Sequence, residues 1–326
     1  MPTSLPHIVE ECRGVLFVYS DSTVVRSENP SFPVPVHDDG SVEWKDVQFD
    51  PINNLSLRLY KPRHVTSKLP IFFYFHGGGF CIGSRTWPNC QNYCFRLASE
   101  LPAIVIAPDY RLAPEHRLPG AIDDSIACLL WLQKQAAGFN SDPWLLDYAD
   151  FKRVVVSGDS AGGTIAHHLA VRFGSTSGRT ELEPVQIKGY VQLMPFFGGV
   201  ERTRSEAQCP KEAFLNLELN DRYWRLSLPI GANFDHPSAN PFGPDSPPLE
   251  PVEFAPTLVV VGECDLLTDR SVDYANRLKQ MGKPVEVAEF KGQQHGFFTI
   301  NPWSESSAEL MRMLRRFVEE VGVRSS

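Results

Sequence analysis

The sequence has no run of lysine and arginine, no long apolar stretch, and no Cys/His set at zinc-ligand spacing. Each absence removes a class of function. Nucleic acid and anionic membrane surfaces select basic patches. The formal charge here is −8, so neither is an expected partner. A spanning helix needs about 18 or more consecutive apolar residues, and no membrane association is expected. Seven cysteines is an odd count. Without metal-ligand spacing they read as free buried thiols of a reducing compartment. Neither a metal nor another cofactor is expected. Met1-Pro2-Thr3-Ser4-Leu5-Pro6-His7 carries no basic segment followed by an apolar one, so no signal peptide is expected. The expected location is the cytosol, shared with the nucleus. No internal repeat is visible.

What is present is an ordinary globular composition. The 326 residues are 42% hydrophobic and 21% charged, enough for one α/β domain with an added cap. Eight strand patterns are legible. Ser41 to Phe49 and Leu55 to Tyr60 alternate around the turn Asn53-Asn54 and predict a hairpin. Ile71–Phe75, Ile104–Ala107, Arg153–Val156, Gly189–Leu193, Thr257–Val261 and Val285–Phe290 follow, separated by helical spacing. The helices expected are Pro119 to Gln135, Ser160 to Phe173, Asp269 to Met281 and Ser304 to Val321. Such alternation implies a mostly parallel eight-stranded sheet with helices on both faces. Residues 1–40 and 198–250 do not fit the repeating unit. The second carries a helix pattern, Leu217 to Leu226. Both are expected to form a helical cap over the C-terminal edge of the sheet, where open α/β folds bind ligands. Residues 41–326 are then the main domain.

The chemistry concentrates at Gly158-Asp159-Ser160-Ala161-Gly162, between Val154-Val155-Val156 and the helix pattern after it. A strand, a sharp turn and a helix hold a serine hydroxyl exposed at the sheet's edge, and the flanking glycines let the turn close. Upstream, His76-Gly77-Gly78-Gly79-Phe80 follows a buried-strand pattern. Three consecutive glycines let backbone N–H groups approach a ligand. Such donors stabilise a tetrahedral oxyanion by about 3–4 kcal/mol each. The donors expected are the N–H groups of Gly78, Gly79 and Ala161. In α/β-hydrolases the triad runs Ser, acid, His along the chain. After Ser160 the last base is His295, behind the strand Val285–Phe290. The strand Thr257–Val261 runs into Gly262-Glu263-Cys264-Asp265. Asp265 is the acid favoured, with Asp269 and Glu263 as alternatives.

These residues resemble one family. His76-Gly77-Gly78-Gly79, Asp109-Tyr110-Arg111-Leu112-Ala113-Pro114-Glu115 and Gly158-Asp159-Ser160-Ala161-Gly162-Gly163 look like the hormone-sensitive-lipase-like branch of the α/β-hydrolases. The Asp-x-Leu-x-Asp segment opening at Asp265, and its interval to His295, match too. Gly14-Val15 and Ser20-Asp21-Ser22-Thr23-Val24-Val25-Arg26 are similar to plant carboxylesterases and gibberellin receptors. Trp87-Pro88 and Asn240-Pro241-Phe242-Gly243-Pro244 look most like the carboxylesterases implicated in strigolactone breakdown. The resemblance implies the α/β-hydrolase fold, hydrolysis of small to medium acyl esters without metal, and a mobile cap. It also supplies two rivals: a hormone receptor that lacks the catalytic histidine, and a β-eliminating dehydratase with an altered oxyanion region. His295 and the uninterrupted Gly77-Gly78-Gly79 favour the esterase.

In that reading Ser160 attacks the ester carbonyl, His295 takes and returns the proton, and Asp265 orients the imidazole. Phe80, Phe297 and Phe298 stand next to these motifs and Phe197 at the end of the sixth strand; all four are expected as apolar pocket walls, with core packing the competing role. Phe196 has the same ambiguity. Other titratable residues read as structural. His76 holds the glycine loop, His167 and His168 sit on the helix behind Ser160, and Asp159 fixes the turn. Asp109, Arg111, Glu115, Asp123 and Asp124 form an ion-paired loop. Glu201-Arg202-Thr203-Arg204 is a solvated cap surface. The partner expected is a small-molecule ester; oligomeric state is open.

Overall fold

A computed structural model describes residues 5–27, 34–139 and 141–323. Residues 1–4 and 28–33 of the expected N-terminal cap segment lie outside the described residues. The chain opens with β1 (Ile8–Cys12), β2 (Leu16–Tyr19) and β3 (Val24–Arg26), which pair as a small antiparallel sheet of their own. This corrects the expectation of a wholly helical cap. The apolar patch around Val15 and Leu16 is buried as a hairpin, not as a helix face.

The main sheet contains the eight strands expected. They are β4 (Val42–Asp50), β5 (Leu55–Pro62), β6 (Leu69–Phe75), β7 (Ile104–Pro108), β8 (Ala149–Asp159), β9 (Ile187–Leu193), β10 (Thr257–Gly262) and β11 (Val285–Phe290). Their order is β11-β10-β9-β8-β6-β7-β5-β4. β5 runs antiparallel to both its neighbours; all other pairs in this sheet are parallel. Successive strand side chains point to opposite faces. Ile71, Phe73 and Phe75 therefore enter one core, and Phe72 and Tyr74 enter the other. A strand buried on both faces reads as a continuous apolar run, which is why these strands were legible.

The helices are α1 (Pro88–Glu100), α2 (Gly120–Ala136), α3 (Pro143–Tyr148), α4 (Ala161–Gly174), α5 (Thr176–Leu182), α6 (Arg204–Ala207), α7 (Leu217–Ser227), α8 (Thr268–Gln280), α9 (Phe297–Ile300) and α10 (Glu305–Val323). Buried residues of α1 and α10 join Phe72 and Tyr74 in one core; those of α2, α4 and α8 join Phe73 in the other. No helix among the described residues is long and apolar enough to cross a membrane. All seven cysteines are free, five of them buried. Cys264 is exposed and Cys209 half-buried, which corrects the expectation of uniformly buried thiols.

Candidate active site

The turn at Ser160, the candidate nucleophile, is strained in the way its sequence requires. Ser160 has φ 52° and ψ −117°, a conformation that L-residues with a Cβ rarely adopt. It persists because the surroundings fix it. Ser160 N–H donates to Leu193 O (2.9 Å), and Ser160 O accepts from Phe196 and Thr164 N–H. A Cβ on Gly162 would lie 1.9 Å from Phe75 O, so α4 packs its first turn directly on the end of β6. That contact brings the Ala161 N–H end of α4 to the loop that β6 feeds.

The glycine loop is equally constrained. Gly78 (φ 120°) and Gly79 (φ 59°) lie in the left-handed half of backbone space. Cys81 and Ile82 N–H groups both donate to Gly78 O (3.0 Å), closing the turn. His76 takes the loop-holding role expected. Its ring stacks on Tyr110 with centroids 4.4 Å apart, and its Nδ1 lies 2.8 Å from Gly77 O. Asp159 accepts from the Tyr74 hydroxyl at 2.7 Å and from the Gly77 N–H, tying the nucleophile turn to this loop. Burial pushes the Asp159 carboxyl up, opposed by the Tyr74 hydroxyl.

Asp265 and His295, the candidate acid and base, follow the adjacent parallel strands β10 and β11, whose following loops interlock. Cys264 N–H donates to Gln293 O (2.9 Å), and Glu263 N–H to Phe290 O (3.0 Å). His295 Nδ1 lies 2.7 Å from Asp265 Oδ2. Asp265 is 3% exposed and His295 7%, so the pair is shielded from water. The second oxygen, Oδ1, accepts from Leu267 N–H (3.0 Å). On the far side, Gly296 N–H donates to the Met194 thioether (3.3 Å), steadying the histidine loop. The two alternative acids serve elsewhere. Asp269 accepts from Ser205 N–H (2.8 Å), and Glu263 from Gly292 N–H (2.8 Å).

Ser160, His295, Gly78 and Gly79 line one cavity of about 70 Å³. Ala161 is fully buried immediately behind Ser160. The expected aromatic walls are not there. Phe80 packs between Trp224, Phe196 and Tyr110. Phe196 stacks on Trp224 at 4.1 Å, and Phe197 lies against Tyr274 at 4.6 Å. Phe297 packs on Phe290, and Phe298 on Tyr93. This corrects all four proposed walls, Phe80, Phe197, Phe297 and Phe298, and Phe196 with them. Phe80, Phe297 and Phe298 closely follow site residues and Phe196 and Phe197 follow β9, and in each case the chain sends the side chain back into the core.

The walls come instead from parts of the chain with little periodicity. They are Arg13 from the β1–β2 turn, Phe214 and Leu215 from the loop before α7, Tyr223 from α7, and Trp87 and Asn89 at the start of α1. A Cβ on Gly79 would lie 2.2 Å from Tyr223 Cγ, so α7 rests on the oxyanion-type loop itself. The Phe214 ring lies face-on to His295 with centroids 6.5 Å apart. The sequence signals for these are the cap expected over residues 198–250, whose helix pattern Leu217 to Leu226 contains Tyr223, and the Trp87-Pro88 pair. Nothing singled out Arg13.

The residues read as structural are so placed. Arg111 pairs with buried Asp124 (2.7 Å), Arg85 with Asp109, and Arg26 with Glu115 (2.7 Å). His167 Nδ1 lies 2.9 Å from the Tyr274 hydroxyl, and His168 Nε2 3.4 Å from Ser238 O. Burial lowers both imidazoles, His168 to about 4.

A serine at a strained strand-to-helix turn, a buried His–Asp pair and a glycine loop on one cavity match a family model described by the α/β-hydrolase fold, over residues 72–299. The chain belongs to the α/β-hydrolase family. Its relatives include probable carboxylesterase 6 of Arabidopsis thaliana, 36% identical over 318 residues, covering 94% of this chain and 89% of that one. Tuliposide A-converting enzyme b2 of Tulipa gesneriana is 32% identical over 323 residues, covering 97% and 82%. Among solved structures, an esterase of Pyrobaculum calidifontis has a TM-score of 0.71 at 27% identity, covering 89% and 87% of the two chains. A thermophilic carboxylesterase from a metagenomic library has a TM-score of 0.70 at 27% identity, covering 86% and 89%. Kinship of this breadth supports carboxylic-ester hydrolysis as the activity of this α/β-hydrolase.

Proposed function

We propose that this α/β-hydrolase is a serine carboxylesterase acting on small to medium esters through an acyl-enzyme. Ser160 is the nucleophile, His295 the general base and acid, and Asp265 the residue that orients it. The N–H groups of Gly78, Gly79 and Ala161 receive the oxyanion. The observation that carries the reading is the 2.7 Å contact of His295 Nδ1 with buried Asp265, in a site that also holds Ser160 at a strained turn. A carboxylate acceptor at Nδ1 keeps the proton there and leaves Nε2 free to take the serine proton.

Size sets the substrate class. A cavity of about 70 Å³ admits a short acyl chain. A plant hormone or specialised metabolite such as a strigolactone is a larger ester. It fits the same mechanism only if the cap walls move. We assign the cap to the N-terminal hairpin and the segment between β9 and β10, because both supply those walls. A receptor without turnover is the rival class, as is a β-eliminating dehydratase. The paired His295 argues against the first, the complete glycine loop against the second. We propose the cytosol as the compartment, although tulip relatives bear amyloplastic and chloroplastic names; a fluorescent fusion tests it.

The test is p-nitrophenyl ester hydrolysis across acyl lengths by the purified protein beside Ser160→Ala. Serine-dependent turnover, best with short chains, is expected, and a strigolactone panel follows. Folded protein with no turnover above Ser160→Ala would move the assignment to receptor or dehydratase.

A further inference from the structure

One wall of the catalytic cavity is a cation, and it comes from the N-terminal hairpin. Arg13 and Gly14 are the central residues of the β1–β2 turn, with φ 55° and 66°. Val15 N–H donates to Cys12 O (3.0 Å) across it. Two positive φ values define the type I′ hairpin turn, whose first central position favours asparagine, aspartate or glycine. Arginine there breaks the local rule. Residues that break local rules without local gain concentrate at functional sites.

The side chain explains its presence. It reaches across to the cap and lines the same cavity as Ser160 and His295. Its guanidinium lies 3.8 Å above the Phe214 ring, whose plane in turn faces His295. It donates to Phe214 O and to the Tyr223 hydroxyl. Two further contacts dock the hairpin on α7: Arg225 pairs with Glu10 (3.1 Å), and Arg222 donates to Glu11 O. The guanidinium is therefore held in place, stacked and partly desolvated. Arginine is a donor with five N–H groups and no acceptor. The other walls are aromatic, aliphatic, glycine and small polar groups, with the Asp159 carboxylate already bonded to the Tyr74 hydroxyl; beside them a fixed donor cation discriminates between substrates that share an ester and differ at the far end.

We propose that Arg13 is a specificity-determining residue, selecting esters whose part remote from the scissile bond carries an oxygen acceptor, a carboxylate in preference to a ketone or lactone carbonyl. The inference rests on the esterase reading of the site and deepens it. The planar fork matches a carboxylate bidentately, and charge-assisted bonds of this kind are stronger than neutral ones.

The test is a matched set of esters of equal length. One series varies the acyl part: p-nitrophenyl pentanoate, p-nitrophenyl 4-oxopentanoate and mono-p-nitrophenyl glutarate. A second series places the same end groups on the alcohol of an acetate ester. The readout is the ratio of kcat/KM for the acceptor-bearing ester to that for the plain alkyl one, for wild type, Arg13→Lys and Arg13→Met. In at least one series the wild type is expected to prefer the carboxylate. Arg13→Met should lower that ratio about tenfold or more, and Arg13→Lys should keep part of it. A ratio that is unchanged while all esters slow together would assign Arg13 only to propping Tyr223 and Phe214, and overturns the proposal. So does a wild type with no preference in either series. Titration calorimetry with glutaramic acid and pentanamide reads the same discrimination without turnover. Tighter glutaramic acid binding that Arg13→Met loses would uphold the inference even if no ester were cleaved, an outcome that would sink only the esterase reading. Equal binding by the wild type would overturn it.

Discussion

Replacing Asp265 by asparagine isolates what the acid contributes, and the structure determines which way the new amide must face. Asp265 uses its oxygens for two different partners: Oδ2 meets His295 Nδ1 at 2.7 Å, and Oδ1 accepts from Leu267 N–H at 3.0 Å. Leu267 N–H can only donate. The asparagine oxygen is therefore held at the Leu267 position, and its NH₂ group faces the imidazole. A donor at that point requires Nδ1 to accept, so the ring proton moves to Nε2. An imidazole protonated at Nε2 cannot take the proton of Ser160.

The expected loss is therefore a tautomer effect, roughly 10⁴-fold in kcat where this geometry has been perturbed in the same way, or about 5 kcal/mol of transition-state stabilisation. Folding should change little, because both buried hydrogen bonds persist, the Leu267 bond unchanged and the His295 bond with donor and acceptor exchanged. The assay is single-substrate kinetics on a short-chain p-nitrophenyl ester, with urea unfolding of the same sample. Nitrogen chemical shifts of His295 report the tautomer directly. A loss of less than about tenfold, with the ring proton still on Nδ1, would refute the reasoning. A large fall in stability would show instead that the pair acts mainly as a structural contact.

Two further outcomes follow from buried charge. His168 is held at about 4, below its ordinary 6.5, by burial, and burial shifts His167 the same way. The unfolded chain therefore binds these protons first. Their contribution is complete above pH 6.5 and falls as the pH drops towards 4, by about 3 kcal/mol for His168 alone. Urea midpoints between pH 7.5 and 4.5 should decline, and His168→Gln should flatten that slope; an unaltered slope would remove His168 from the account. Arg270 and Glu206 form a buried ion pair at 2.5 Å that holds α6 against α8. Arg270→Met should cost about 3–5 kcal/mol in thermal or urea unfolding, and the double change with Glu206→Leu should recover much of it. A harmless single substitution would show that the pair is solvated in solution.

The main sheet and the triad candidates were legible because each rests on a strong local signal. Strands buried on both faces read as apolar runs, and a serine between glycines after such a run has one geometric use. The helix α1 was not legible. Its polar residues are buried as ties: Asn92 accepts from His37 N–H and donates to Pro35 O, and Arg96 pairs with Glu100. Those ties hide the apolar period. The short strands β1 to β3 were missed because only their inner residues, such as Cys12 and Leu16, are buried. The four aromatic walls were misplaced for a different reason. Nearness in sequence to a site residue, as for Phe80, Phe297 and Phe298, or to a strand's end, as for Phe197, does not fix nearness in space, because side chains diverge where the chain turns.

Asp269 shows why order alone could rank the acids but not place them. It lies four residues beyond Asp265, in the first turn of α8, while Asp265 stands in the loop between β10 and that helix. Asp269 takes the N–H of Ser205, while the Ser205 hydroxyl donates to Leu266 O, next to Asp265 (2.7 Å). With the Arg270–Glu206 pair, these bonds fasten the first helix of the insertion between β9 and β10 to the segment that carries Asp265. The insertion therefore has two mechanical duties. Its later part supplies Phe214 and Tyr223 to the cavity wall, and its first helix braces the segment of Asp265, the partner of His295. Sequence changes in this segment that alter the wall are then constrained to leave α6 in place, because a shift there would be transmitted through Leu266 to a hydrogen bond only 2.7 Å long. That division predicts where specificity can vary cheaply in this fold: from Phe214 onward, and in the hairpin that carries Arg13, but not at Thr203 to Glu206.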